Sequence, residues 1–147
     1  MRYGLKKLYN DVVEMLGSDK GVTMTDNVVV MNPTDLPDTA DWKIWVQALR
    51  FTTYFNQSGN CGICGEKLGR QGELHHALIS KQDVRHTRDG AKYRIIHHSF
   101  NVVLCHNVCH MKATRRACMP YLKATYGFEE VDNWYNSVPS KALMRGL

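Results

Sequence analysis

An α+β fold is predicted by three observations. Apolar residues recur at helical spacing towards both ends of the chain, and short β-branched runs lie between them. The middle is rich in glycine and gathers thiol and imidazole side chains instead of a continuous apolar pattern. The 147 residues suit one domain with a modest core. It divides into 1–56, a helical N-terminal extension, 57–118, a metal-stapled core, and 119–147, a helical C-terminal extension.

The first element is a helix from Arg2 to about Ser18, with Leu5, Leu8, Val12 and Leu16 on one side and Gly17 as its stop. Val22 to Met31 reads as one short strand, and the loop from Asn32 to Thr39 carries Pro33 and Pro37. Asp38, Thr39 or Asp41 can cap a second helix, Trp42 to about Phe55, with Trp45, Val46, Leu49 and Tyr54 on its apolar side. Gly62, Gly65, Gly69 and Gly72 make the next stretch a knuckle and a turn. Glu73 to Ile79 and Ile95 to Leu104 read as two strands, joined by a basic loop longer than most hairpin connections. A helix from Asn107 to Cys118 is interrupted near Pro120, and two short helices follow, Tyr121 to Tyr126 and Glu129 to Ser137. The aromatic residues Tyr121, Tyr126, Phe128, Trp134 and Tyr135 read as packing.

Hydrophobic content of 44% with 22% charged residues excludes a disordered chain. No apolar run approaches the roughly 18–20 residues of a membrane span. The N-terminal stretch lacks a signal peptide's apolar region, so the five cysteines read as reduced thiols and metal ligands in a cytoplasmic protein. The net charge of +5 is unevenly spread: residues 80–123 carry +7, and residues 22–41 carry −4. A basic stretch around a histidine cluster fits a polyanionic partner.

Cys61-Gly62-Ile63-Cys64 and Cys105-His106-Asn107-Val108-Cys109-His110 bracket the pair His75-His76. Thiolates and imidazoles at this spacing suit a tetrahedral structural zinc, which takes four ligands. Cys61, Cys64 and Cys109 supply three. The fourth is His106 by the two-residue gap to Cys109, or Cys105, which otherwise packs as a small hydrophobe. His75, His76, Asn101 and His110 are then left over, and a zinc finger alone does not need them.

At Glu73-Leu74-His75-His76 and Asn101-x8-His110 the chain resembles the HNH endonucleases, the ββα-metal nucleases. The resemblance covers about Cys61 to Lys112, and the stretches HHALISKQDV and HHSFNVVL are most similar to small phage-encoded members. It implies a zinc-stapled ββα-metal finger embedded among the flanking helices. His75 and His110 would bind a catalytic divalent ion: Mg²⁺ or Mn²⁺, with Ni²⁺ or Zn²⁺ as alternatives. His76 would be the general base, and Asn101 would hold its loop by hydrogen bonds. The chain departs from the commoner four-cysteine pattern, since His106 stands where the family's first knuckle cysteine falls.

The activity implied is metal-dependent hydrolysis of DNA phosphodiester bonds to 5′-phosphate and 3′-hydroxyl ends, including nicking. Lys81, Arg85 and Arg88 from the loop, and Lys112, Arg115 and Arg116 from the helix, would grip phosphates. If the chain is phage-encoded, the compartment is a bacterial host's cytoplasm. DNA is the expected partner and a membrane is not; the oligomeric state stays open. The rival reading, a non-enzymatic zinc-binding DNA-binding protein, accounts for the cysteines and the basic charge but leaves the four extra residues unexplained. His97 and His98 read as phosphate contacts or the end of a strand, and His86 as an exposed loop residue.

Overall fold

A computed structural model describes residues 4–69, 72–85, 87 and 89–138. Arg2, His86, Arg88 and residues 139–147 lie outside the described residues. The architecture is α+β, with helices outweighing two small two-stranded sheets. Among the described residues no helix is long and apolar enough to cross a membrane.

The N-terminal layer consists of α1 (Leu5–Leu16), α2 (Trp42–Asn56) and a hairpin, β1 (Val22–Met24) with β2 (Val29–Met31). Gly17 ends α1 in the left-handed region, φ 73°, where its N–H still reaches the Val13 carbonyl at 2.8 Å. The single strand expected over 22–31 is instead two, paired antiparallel with Val22 opposite Met31. Thr25 makes the turn: its hydroxyl accepts the N–H groups of Asn27 and Val28 at 3.2 and 3.1 Å. That local bond folds the valine run back on itself.

Asp41, not Asp38 or Thr39, caps α2, its carboxylate accepting the Ile44 N–H at 3.1 Å. Trp45, Ala48 and Leu49 turn inward onto Leu8, Val12, Val29 and Met31. A fully buried Val, Leu or Met is worth about 1.5–3 kcal/mol, so this layer is a true core. Tyr54 does not share that side, as the sequence had suggested, but is 39% exposed. The inner stripe passes from 45 through 48–49 to the buried Thr52 and Thr53, which leaves Tyr54 with Arg50 and Phe51 on the outer face.

The second sheet pairs β3 (Glu73–His76) with β4 (Val102–Cys105), antiparallel, with His75 opposite Val103 and His76 opposite Val102. Both strands are shorter than expected. The part of the second that begins at Ile95 is in fact the end of α3 (Asp89–Ile96), and a 3₁₀ turn over Ser99–Asn101 leads into β4. Tertiary contacts override the β-branched pair Ile95-Ile96. Arg94 pairs with Asp38, the Trp45 indole donates to the His97 carbonyl at 2.9 Å, and Ser99 Oγ accepts the Met31 N–H at 2.8 Å. Gly90 lets α3 approach that closely, because a Cβ there would lie 2.5 Å from the Asp38 side chain.

After β4, α4 (Asn107–His110) is a single turn. The continuous helix expected from Asn107 to Cys118 breaks over 111–114, and α5 (Arg115–Tyr126) begins where Thr114 Oγ1 accepts the Ala117 N–H at 3.1 Å. Pro120 does not interrupt α5. It is exposed, so water meets the Arg116 carbonyl that proline cannot. The helix therefore crosses the boundary drawn at 118 between core and extension. Gly127 (φ 106°) separates it from α6 (Phe128–Ser137). Ile96, Phe100, Cys118, Leu122 and Val131 form the second core. Tyr121, Tyr126, Trp134 and Tyr135 pack against it, whereas Phe128 is 63% exposed with the Lys123 ammonium 3.8 Å from its ring centre.

His98 ends neither a strand nor a surface loop; it is 2% exposed, and its Nδ1 accepts the Phe100 N–H at 2.9 Å. Burial pushes its pKa down to about 3. The unfolded imidazole, with a pKa near 6.5, takes up a proton that the folded one refuses. Stability is therefore full above about pH 6.5 and falls as the pH drops towards 3. A urea titration should show a loss of about 2 kcal/mol between pH 7 and pH 5 from this residue alone, and His98→Gln should remove that part of the loss.

Candidate metal centre and histidine cluster

The knuckle is built by local chain geometry. The Gly65 N–H donates to the Cys61 carbonyl at 3.0 Å, and Gly65 takes a φ of 80° to close the turn. Gly62 has to be glycine, since a Cβ there would lie 2.3 Å from Val103 Cγ1. The N–H groups of Ile63 and Cys64 point at Cys61 Sγ at 3.4 and 3.5 Å. The second half rides on the step from β4 into α4, which carries His106 and Cys109.

The side chains of Cys61, Cys64, His106 and Cys109 converge, with all four ligand atoms within 4.8 Å of one another. They form a group able to hold a metal ion. Cys105 does not join them: it is fully buried in the small cluster with Leu68 and Leu104, and its thiol donates to the Glu73 carbonyl at 3.8 Å. Burial pushes that thiol up to about 12. His106 is the fourth member for a second reason. Its Nε2–H donates to the Lys67 carbonyl at 2.6 Å, which leaves Nδ1 with its lone pair 3.4 Å from Cys64 Sγ.

Two thiols of the group differ in acidity. Burial raises Cys61, but the backbone N–H groups of Cys64, His106 and Ile63 outweigh it and bring it down to about 6. Cys109 is pushed up to about 11, by desolvation first and then by the Cys61 and Cys64 sulfurs beside it. Neighbouring thiolates at this separation need a positive ion between them, and three sulfurs with one imidazole are a zinc donor set.

The histidine cluster is built on β3, α4 and the segment after α3. His75 and His76, adjacent on β3, meet different neighbours. The His75 ring stands edge-on to His110 of α4, centroids 4.8 Å apart, and the Nδ1 of His110 is buried without a partner. Burial lowers the pKa of His75, and the neighbouring His110 lowers it further, so its lone pair is available to a cation. Among the described residues no third His, Cys, Asp or Glu joins these two.

His76 packs against His97, centroids 5.3 Å apart. Burial first, then the charges of His97 and Lys81, lower it to about 3, and its Nε2 is buried with no partner. His97 was read from the sequence as a phosphate contact or a strand end. It is instead 6% exposed, stacked on Tyr93 at 5.4 Å and held through its carbonyl by Trp45. It backs His76, a relationship across two elements that no spacing in the sequence signals.

Asn101 is completely buried and uses its whole amide. Oδ1 accepts the Leu78 and Ile79 N–H groups at 3.0 and 2.8 Å; Nδ2 donates to the Ile79 and Ile96 carbonyls at 2.9 and 3.0 Å. Its own carbonyl accepts the Ala77 N–H at 2.6 Å. The three residues after His76 are thereby fixed.

Of the basic residues, Lys112, Arg116, Lys81 and Arg85 are exposed. Arg85 spends one donor on the Gln82 carbonyl at 3.2 Å. Arg115 is committed to the fold: Nε and Nη2 both donate to the Leu78 carbonyl at 3.1 and 2.9 Å, and the guanidinium lies 5.6 Å from the Tyr135 ring centre. No protein-family model, curated protein or solved structure matches the chain.

Purified protein should contain one zinc per chain by elemental analysis. Cys61→Ser or Cys64→Ser should lose it and melt far below the parent, because binding at such a site is coupled to folding. Cys105→Ala should keep its zinc. Zinc loss in Cys105→Ala with retention in His106→Ala would reverse the assignment of the fourth ligand.

Proposed function

We propose that the chain is a metal-dependent endonuclease of the HNH type, hydrolysing DNA phosphodiester bonds to 5′-phosphate and 3′-hydroxyl ends. The observation that carries this reading is the arrangement around β3. Two imidazoles, His75 and His110, meet edge to face with centroids 4.8 Å apart, while a third, His76, packs against His97, and Asn101 locks the chain beyond it. A zinc knuckle of purely structural purpose calls for none of these four.

Two imidazoles would hold a divalent ion that keeps its remaining positions for water and substrate oxygens. Such an ion, Mg²⁺ or Mn²⁺ first and Ni²⁺ or Zn²⁺ next, would offset the charge on the pentacovalent phosphate and on the leaving oxygen. His76, neutral at pH 7, has a lone pair with which to take the proton of the attacking water. The pKa of about 3 belongs to the site without DNA. A bound phosphate brings negative charge beside the ring and raises its basicity towards the range a general base needs. Lys81, close enough to depress both His76 and His97, would meet that phosphate. Lys112 and Arg116 extend the grip from the α4–α5 side, and Arg115 supports it only through the backbone it holds.

The alternative, a zinc-binding DNA-binding protein without catalysis, is favoured by one observation: the four-ligand knuckle is the only metal group of three or more ligands among the described residues. Incubation of supercoiled plasmid with each divalent ion separates the two readings. Cleavage by the parent chain is expected, with a loss of about 10²–10⁴-fold in His76→Ala. His75→Ala and His110→Ala should lose activity while keeping their zinc and their melting temperature. Undiminished cleavage by His76→Ala would remove it from the role of base.

Phosphate contacts have their own signature. Lys112→Ala combined with Arg116→Ala should weaken DNA binding irrespective of sequence and flatten its log–log salt dependence by up to about two units. Fluorescence anisotropy over a salt series measures both effects. Arg115→Ala should act mainly on the melting temperature.

A further inference from the structure

A cleft of about 1090 Å³ opens between the outer face of α2 and the β3–β4 sheet, and it runs to His110. Small-molecule sites occupy about 300–1,000 Å³, so this cleft lies at the upper end of the range of ligand sites. Its floor is apolar, formed by Leu74 and Leu104. Its α2 wall carries Arg50, Phe51 and Tyr54, and the two aromatic residues are 41% and 39% exposed. An aromatic pair left in solvent beside a helix face that has its own buried stripe is not needed for the core.

We propose that this cleft binds an unpaired DNA strand adjoining the scissile phosphate, with bases stacked on Phe51 and Tyr54. This rests on the nuclease reading and adds to it the class of substrate: DNA with a single-stranded arm or gap. Four observations on the page point to that occupant. The cleft is continuous with the proposed metal ligand His110, so a strand leaving the cut site has a path. Exposed aromatic rings on a groove are the sequence-tolerant platform on which unpaired bases stack. The Tyr54 ring is pre-set, since its hydroxyl donates to the Gly69 carbonyl at 3.3 Å and Gly59 closes against it, where a Cβ would lie 3.1 Å from the hydroxyl. Charge is complementary: α2 contains Lys43 and Arg50 and no carboxylate. Arg50 gives one donor to the Gly72 carbonyl, which anchors the guanidinium at the rim. Glu73 is the one carboxylate among the described lining residues and would oppose a passing phosphate.

The test uses the full zinc-loaded chain and two readouts. Anisotropy with fluorescent oligo(dT) measures the cleft without any need for cleavage. Phe51→Ala should weaken binding by about 5- to 150-fold, the range of stacking on one aromatic ring. Phe51→Trp should restore it, and Glu73→Gln should tighten it. Phe51 is exposed, so melting temperatures near the parent's are expected for both Phe51 variants. The second readout compares cleavage of a blunt duplex with that of the same duplex bearing a single-stranded arm; the armed duplex should be cut faster, and Phe51→Ala should erase that preference. Cleavage of duplex DNA with no oligo(dT) binding, or with binding indifferent to Phe51, would overturn the cleft assignment and leave the nuclease reading standing. Oligo(dT) binding that depends on Phe51, with no cleavage of any DNA by any ion, would uphold the cleft and overturn the nuclease. A cleft that takes an apolar peptide in place of oligo(dT) would also overturn the proposal.

Discussion

The buried amide of Asn101 is the interaction on which the histidine cluster depends. Two four-residue strands have too few ladder bonds to hold a reactive group to a fraction of an ångström. Asn101 supplies what the strands lack. It gathers the chain after His76 and the end of α3 onto one side chain, and every donor and acceptor of that side chain is used. Because it is fully buried, any substitution would orphan several backbone groups at once. The position of His76 is thus set from behind, by groups that never meet solvent.

Support arrives from both flanks. On one side Trp45 and Met31 of the N-terminal layer bond to the His97 carbonyl and the Ser99 hydroxyl, so the approach to Asn101 is fastened to the first core. On the other, Arg115 at the start of α5 clamps the Leu78 carbonyl, within the segment that Asn101 also holds. The helical flanks are therefore parts of the site's scaffold. Helix α5 serves the site with its first turn and the second core with the rest.

What was legible in the sequence was whatever is local. The knuckle follows from glycine and cysteine spacing, and the gap between His106 and Cys109 already favoured His106 over Cys105. Gly17, Asp41 and Gly127 marked helix ends by ordinary capping chemistry. The errors share one cause, long-range packing against local preference. Ile95 and Ile96 look like strand residues but are pinned as helix by contacts with 36–45 and with the second core. Pro120 looks like a breaker but sits where water replaces the missing bond. The pairing of His76 with His97 exists only once separate elements meet. The Thr25 turn was available to a closer reading, since a threonine before Asp26-Asn27 is a turn-former inside an otherwise valine-rich run.

Gln57, just past the end of α2, has a consequence beyond positioning. Its side-chain amide reads the edge of β4 as another strand would: Nε2 donates to the Leu104 carbonyl and Oε1 accepts the Leu104 N–H, each at 2.8 Å. The Gly62 N–H gives that carbonyl a second bond at 3.0 Å. A free edge running through Val102, Val103 and Leu104 would be a template for recruiting strands from other copies. One glutamine occupies it at Leu104 without contributing a strand, so this apolar, β-prone segment at the protein's centre presents both backbone groups of that residue already bonded.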